Sequence, residues 1–168
     1  MAIVTTVGGM DSNCYPTLEE AQAYFADRLH ASGWFDLDEE DQPKALITAS
    51  LQLDWYARWK GSKTDPAQSM GFPRSGLLLP DGTEYDSTIV PPEVKTAVFE
   101  LLLSSIETDR TADSDMAGLS QIKAGSVQLI ADDGLYNTKP KTIPIKVWKI
   151  INDFTLRASS GLVRLVRA

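Results

Sequence analysis

The chain has 168 residues, 43% apolar and 23% charged, with a formal net charge of −7. This length suits one domain with a proper core rather than two, and the composition excludes low-complexity chains. No apolar run approaches the roughly 20 residues of a membrane span, MAIVTTVGG lacks the basic start of a secretory signal, and the lone Cys14 excludes an internal disulfide and fits a reducing cytoplasm.

Residues 1–16 read as extended, with Gly8-Gly9 and Asp11-Ser12-Asn13 as turn material. Thr17 and Glu20 form a capping box that opens a helix to about His30. Its core face is expected to be Leu18, Ala21, Phe25 and Leu29, with Gly33 ending it and Trp34-Phe35 folding back as a hydrophobic plug. The only histidine, His30, is read as a cap for the last carbonyls, not as a catalytic group. The acidic run Asp36, Asp38, Glu39, Glu40 and Asp41 complements the dipole of the next helix, with Asp41 or a neighbour as N-cap. It lacks the alternating twelve-residue spacing and central Gly of a calcium loop.

The second helix is expected from about Pro43 to Trp59, with Leu46, Ala49, Leu53 and Tyr56 on one face and Ile47, Leu51 and Trp55 beside it. Gly61 is read as its stop. Here Trp55, Tyr56 and Trp59 interleave with Arg58, Lys60 and Lys63. That composition fits a single-stranded nucleic-acid platform using Arg58, Trp59, Lys60 and Lys63. It also fits a helix end that docks aromatics into a core and snorkels its cations outward. The second is favoured, because stacking platforms usually sit on sheets or grooves.

Residues 61–91 are punctuated by Gly and Pro and read as a long loop without regular structure, of the kind that often carries function. Phe72-Pro73-Arg74 reads as an anchored bend, its ring buried and its guanidinium free to pair, which makes these three a candidate inter-subunit or partner contact. Pro80-Asp81-Gly82 is a turn signal. Residues 92–108 then form the most apolar helix, with Val94, Ala97, Val98, Leu101, Leu102 and Ile106 on one face and Phe99 and Leu103 on a second stripe. The rest of the chain is expected to pack around it, the first two helices on one side and the last helix on the other.

Residues 109–120 are polar, and 126–138 read as a hairpin turning at Asp133-Gly134. A last helix begins near Pro144, its stripe Val147, Ile150, Ile151, Phe154 and Ala158, and ends at Ser159-Ser160-Gly161. The predicted fold is therefore mainly α: a small bundle of about four helices around a central buried one, with a long loop, a minor β-hairpin and an extended C-terminal arm. Residues 1–161 make the helical domain and 162–168 the arm, whose apolar side chains need a sheet edge or a partner.

Charge is unevenly placed. Residues 1–138 hold 9 Lys and Arg against 22 Asp and Glu, whereas 139–168 hold 7 basic residues against Asp153 alone. Such a split points to head-to-tail self-association, or to a tail docking on an acidic partner, on phosphates or back on its own body. One His and one Cys cannot build a His-based triad or a structural zinc site, and neither a Walker A nor a dinucleotide fingerprint is present. No enzyme, no cofactor and no metal is expected.

Four stretches, SNCYPTLEEAQAYFADRL, YARWKGSKTDPAQSMGFPRSG, VPPEVKTAVFELLL and the terminal GLVRLVRA, together resemble a family of tailed-phage head-to-tail adaptor (head completion) proteins, some of them catalogued as DnaT-like single-stranded-DNA-binding proteins. The resemblance spans most of the chain in order, with Phe72 where that family is expected to have Trp. It implies a mostly helical virion subunit, assembled in the host cytoplasm into a homo-oligomeric ring, commonly a dodecamer, between the portal protein and the stopper or tail-completion protein. The ring would extend the channel for double-stranded DNA without sequence-specific binding, with no membrane involved. The resemblance makes Leu162, Val163, Arg164, Leu165, Val166 and Arg167 the portal contact.

Overall fold

A computed structural model describes residues 2–106, 121–124, 127–130 and 142–156. The described residues form five α-helices and two small antiparallel β pairs. None of the described helices is long and apolar enough to cross a membrane.

Helix α1 (Leu18–Ala26) starts at the expected capping box: Glu20 N donates to Thr17 Oγ1 at 3.1 Å and Thr17 N to Glu20 Oε2 at 2.9 Å. Ala21 and Phe25 are buried, but the helix stops at Ala26, so Leu29 never joins their face and is 74% exposed. His30 lies past the end in the left-handed region, at φ 61°, and is not a helix cap. Gly33 lies inside a second short helix, α2 (Ser32–Phe35), instead of ending the first. Only half of the expected plug holds: Trp34 is fully buried against Phe25, with ring centroids 4.8 Å apart, while Phe35 faces solvent.

Helix α3 (Asp41–Tyr56) buries Leu46, Ile47, Ala49 and Leu53. No side chain caps its N-terminus; Asp41 is the first helical residue and pairs with Lys44. It ends three residues before Trp59, because Ala57 turns to extended backbone (φ −86°, ψ 131°). Trp55 and Tyr56 are therefore exposed, not packed on the core. Residues 58–60 leave the helix to pair with the far end of the chain: Lys60 N donates to Phe154 O at 2.8 Å and Leu156 N to Arg58 O at 2.7 Å. Gly61 is no helix stop. It stands at φ 66°, where a Cβ would lie 2.3 Å from Ser75 O, so glycine permits the close approach of two strands.

Those strands, β1 (Ser62–Lys63) and β2 (Arg74–Ser75), pair with Ser62 opposite Ser75. Beyond them Leu78 bridges Glu84, and Leu79 N donates to Thr83 O at 2.8 Å across the Pro80-Asp81-Gly82 turn. The segment 61–91 is thus two small hairpin-like units, not a structureless loop. A cis bond joins Phe72 and Pro73 between β1 and β2.

Helix α4 (Pro92–Ser105) is the expected centre. Val94, Ala97, Val98, Leu101 and Leu102 are buried, and α3 and α5 pack against it. It ends at Ser105, short of residue 108, where the Ser104 and Ser105 hydroxyls donate back to Leu101 O at 2.7 and 2.9 Å. Phe99 takes α1: Tyr24 stacks on it at 4.6 Å and Phe25 meets it edge-on at 5.6 Å.

Strand β3 (Gln121–Ala124) pairs with β4 (Val127–Ile130), Ala124 opposite Val127. The strand at 127–130 was expected, but it pairs with the upstream residues 121–124. Residues 131–141, which hold the expected Asp133-Gly134 turn, lie outside the described residues. Helix α5 (Ile145–Ile150) is shorter than its apolar stripe. Ile151 breaks it (φ −96°, ψ 9°), and a 3-10 turn (Asn152–Phe154) delivers Phe154 to the core, with Thr155 bridged to Trp59. Ala158 and the arm 162–168 lie outside the described residues.

Candidate functional site

The residues singled out in the sequence converge on one carboxylate that was not. Asp54 sits on the inner face of α3 near its end. Its Oδ1 accepts from the Tyr15 hydroxyl and from Trp59 Nε1 at 2.9 Å, and its Oδ2 accepts from Gly71 N at 2.7 Å. Burial pushes the Asp54 carboxyl up, and the bonds from Tyr15, Gly71 and Trp59 offset only part of that rise. The Tyr15 hydroxyl is likewise raised, by burial and then by the neighbouring carboxylate. A Cβ on Gly71 would lie 2.6 Å from Asp54 Oδ1 and 2.7 Å from Trp59 Nε1, so the backbone reaches this carboxylate only as glycine.

Trp59 is therefore a clamp. Its ring also meets Phe72 edge-on at 4.9 Å, and Phe72 in turn meets Tyr15 and Phe154 at 6.2 Å. The bend 72–74 is anchored as expected, with Phe72 and Pro73 buried. Arg74, however, is not free. Its Nε donates to Lys60 O at 2.6 Å, Nη1 to Gly71 O at 3.0 Å and Nη2 to Gly61 O at 2.7 Å. These carbonyls are neutral acceptors, and desolvation draws the Arg74 pKa down.

The two lysines of the aromatic–basic stretch are engaged in the same way. Lys60 Nζ donates to Asp153 O at 2.9 Å, and Lys63 Nζ to Gln68 O at 2.9 Å. Both ammoniums stay toward the surface, with Lys63 exposed, but each is tied to a carbonyl instead of standing free. Among the described side chains, Arg58 and Lys149 are the cations without an acceptor in the chain. The structure thus separates the candidate set: Trp59 and Lys60 are half-buried, Lys63 is exposed but tied to a carbonyl, and Arg58 is exposed and untied beside exposed Trp55 and Tyr56.

A second polar node lies on the central helix. Glu100, only 7% exposed, accepts from Tyr24 Oη at 2.7 Å, from Arg28 Nε at 2.8 Å and from Lys146. Burial alone would raise its carboxyl, but the bonds from Arg28, Lys146 and Tyr24 outweigh it and hold the group down at about 2. This node joins α1, α4 and α5. Lys95 with Glu20, at 2.6 Å, adds a further tie between α4 and α1.

In each node a tyrosine hydroxyl donates to the carboxylate, and burial and that carboxylate raise both hydroxyls, which keeps them protonated. Cys14 is buried, and burial raises its thiol to about 11, which keeps it protonated. Both nodes were missed because each acid sits inside an apolar run, Asp54 in LQLDWY and Glu100 in VFELLL. An acid at that position is the signal that could have found them. The arm residues Leu162, Val163, Arg164, Leu165, Val166 and Arg167 lie outside the described residues.

Among curated proteins and among solved structures, nothing matches the chain. A family model matches residues 1–168, its whole length, and the chain accordingly belongs to the family described as "Putative DnaT-like ssDNA binding protein".

Proposed function

We propose that the protein is a structural head-to-tail connector of a tailed phage: a subunit of a homo-oligomeric ring between the portal and the stopper or tail-completion protein. The observation that carries this reading is the distribution of charge. The body, residues 1–138, is acidic, and its cations with described side chains, apart from Arg58, are held by acceptors of the same chain. Such a surface lets DNA pass without gripping it, and leaves the basic, apolar residues Leu162, Val163, Arg164, Leu165, Val166 and Arg167 to grip the portal. The order of the four stretches that resemble the adaptor family supports the same reading. Mixing the purified chain with a phage portal and imaging by electron microscopy tests it. Coaxial rings on the portal are expected, and they should vanish when residues 162–168 are removed. Absence of any complex with the full chain would reject the reading.

A second reading, single-stranded nucleic-acid binding, is favoured by the description of the family itself. Of its original contact set, Arg58 is exposed, and exposed Trp55 and Tyr56 precede it. Anisotropy titration of a labelled oligo(dT) at low and high salt decides this reading. Salt-dependent binding supports it, and no binding at low salt removes it.

A further inference from the structure

Helix α3 joins two exposed apolar corners of unlike charge. At its C-terminal end Trp55, Tyr56 and Leu156 are 71%, 46% and 57% exposed. The bond from Leu156 N to Arg58 O holds the end of the described chain beside the helix terminus. Arg58 is exposed at this corner without an acceptor. At the other end, the segment between α1 and α3 exposes Leu29 and Phe35, together with Asp36, Asp38, Glu39 and Glu40. That segment is fixed from beneath: Trp34 is fully buried, and Gln42 Nε2 donates to Trp34 O at 3.5 Å. The 16 residues of α3 put about 24 Å between its ends.

The corners are complementary and not alike. One offers Trp, Tyr and Arg, the residue types that dominate binding energy at interfaces. The other offers apolar side chains with four carboxylates, Asp36, Asp38, Glu39 and Glu40, that form no ion pair with a described cation of the chain. Across a twofold axis each corner would bring like charges together, carboxylates on one and Arg58 on the other, whereas pairing unlike corners sets Arg58 against carboxylates. We propose that the Trp55–Tyr56–Arg58 corner of one copy seats on the Leu29–Phe35 acidic corner of the next, a head-to-tail contact between copies of this chain. A contact of this kind is heterologous, so it repeats until rotation closes a ring, or else runs on as a filament. It deepens the connector reading, and rests on that reading for the ring, but its test involves no portal, so the two fail separately.

Sedimentation velocity of the full chain over a rising concentration series, at low and high salt, provides the test. Two variants each remove one corner: Trp55→Ala/Tyr56→Ala and Leu29→Ala/Phe35→Ala. All four side chains are exposed, so circular dichroism should show both variants folded. The native chain is expected to form larger species that salt weakens, and each variant alone to stay monomeric. Their equimolar mixture should stop at a heterodimer, because each supplies the corner the other lacks. A charge pair gives a second measurement should either variant misfold: Arg58→Glu should block assembly, and Glu39→Lys/Glu40→Lys should restore it in the mixture. A native chain that stays monomeric throughout, a twofold dimer, or a mixture that stays monomeric overturns the contact. So does a monomer whose Trp55, Tyr56 and Arg58 instead hold oligo(dT).

Discussion

Arg28 Nε lies 2.8 Å from Oε1 of Glu100, joining the segment just after α1 to a carboxylate buried on the central helix, which Tyr24 of α1 also meets. Lys146 reaches the other oxygen from α5. One acid thus anchors three helices, and its ionisation becomes a term in their assembly. Its folded pKa of about 2 lies below the unfolded value of about 4.3. The stabilisation is therefore present above about pH 4.5 and lost as pH falls toward 2. It is on the order of 1–3 kcal/mol, because Arg28 and Lys146 are partly exposed and screened. Urea midpoints measured against pH should fall through that window in the native chain. Glu100→Gln should lower the plateau and flatten this part of the slope. Asp54, whose pKa is raised, works in the opposite direction, so the difference between the two proteins is the quantity that reports Glu100.

Around Asp54, Trp59 and Trp55 should behave as opposites although they lie four residues apart. Trp59→Phe removes the Nε1 donor to a buried carboxylate, at a cost of about 1–3 kcal/mol. Trp59→Ala also opens a cavity against Phe72 and should cost about 3–5 kcal/mol. Trp55, 71% exposed, should change stability by less than about 0.5 kcal/mol on replacement by Ala. Chemical denaturation of the three variants checks the order, and equal losses at both tryptophans would contradict the clamp.

How much of this was legible follows from what periodicity encodes. The stripe from Val94 to Leu102 named the central helix because burial on two sides leaves a long, unbroken signal. The Thr17–Glu20 box likewise fixed the start of α1. Helix ends were less legible, since long-range pairing sets them. Tyr56 continues the apolar spacing from Leu53, yet the chain leaves the helix at Ala57 so that residues 58–60 can pair with 154–156. Ile150, Ile151 and Phe154 suggest one helix for the same reason, whereas the same pairing needs a 3-10 turn. The candidate contacts fared likewise: Arg74, Lys60 and Lys63 look free in sequence because their acceptors are backbone carbonyls, which no residue type announces.

Two glycines separate steric clash from backbone strain. Gly61 and Gly76 stand at φ 66° and 70°, but only at Gly61 would a Cβ meet backbone, at 2.3 Å from Ser75 O. Gly76→Ala should cost about 1 kcal/mol, from its conformation alone. Gly61→Ala should cost at least about 2–3 kcal/mol, because β1 and β2 must also move apart. Thermal unfolding of the pair tests the ranking.

In the central helix, Leu101→Ala should cost about 2–5 kcal/mol by leaving a cavity in a fully buried site. Any loss of assembly should track lost folding. Cooling or a stabilising osmolyte should then restore assembly together with helicity, and an assembly defect that persists in the folded variant would give Leu101 a direct role.

Lys60 and Lys63 carry the last prediction, because the sequence offers them as phosphate ligands while the fold uses both. Each ammonium donates to a backbone carbonyl of its own chain, Asp153 O and Gln68 O, at 2.9 Å. Replacing both with Ala should therefore lower stability by about 1–2 kcal/mol, through lost hydrogen bonds to charged donors. If the chain binds oligo(dT), the double variant should keep most of its affinity once folded, and the salt slope should change little. Arg58→Ala, which removes an exposed cation, should instead reduce the slope of log K against log salt by about one phosphate contact. The reverse ranking would mean that both lysines leave their carbonyls to meet phosphate, and would return them to the binding surface.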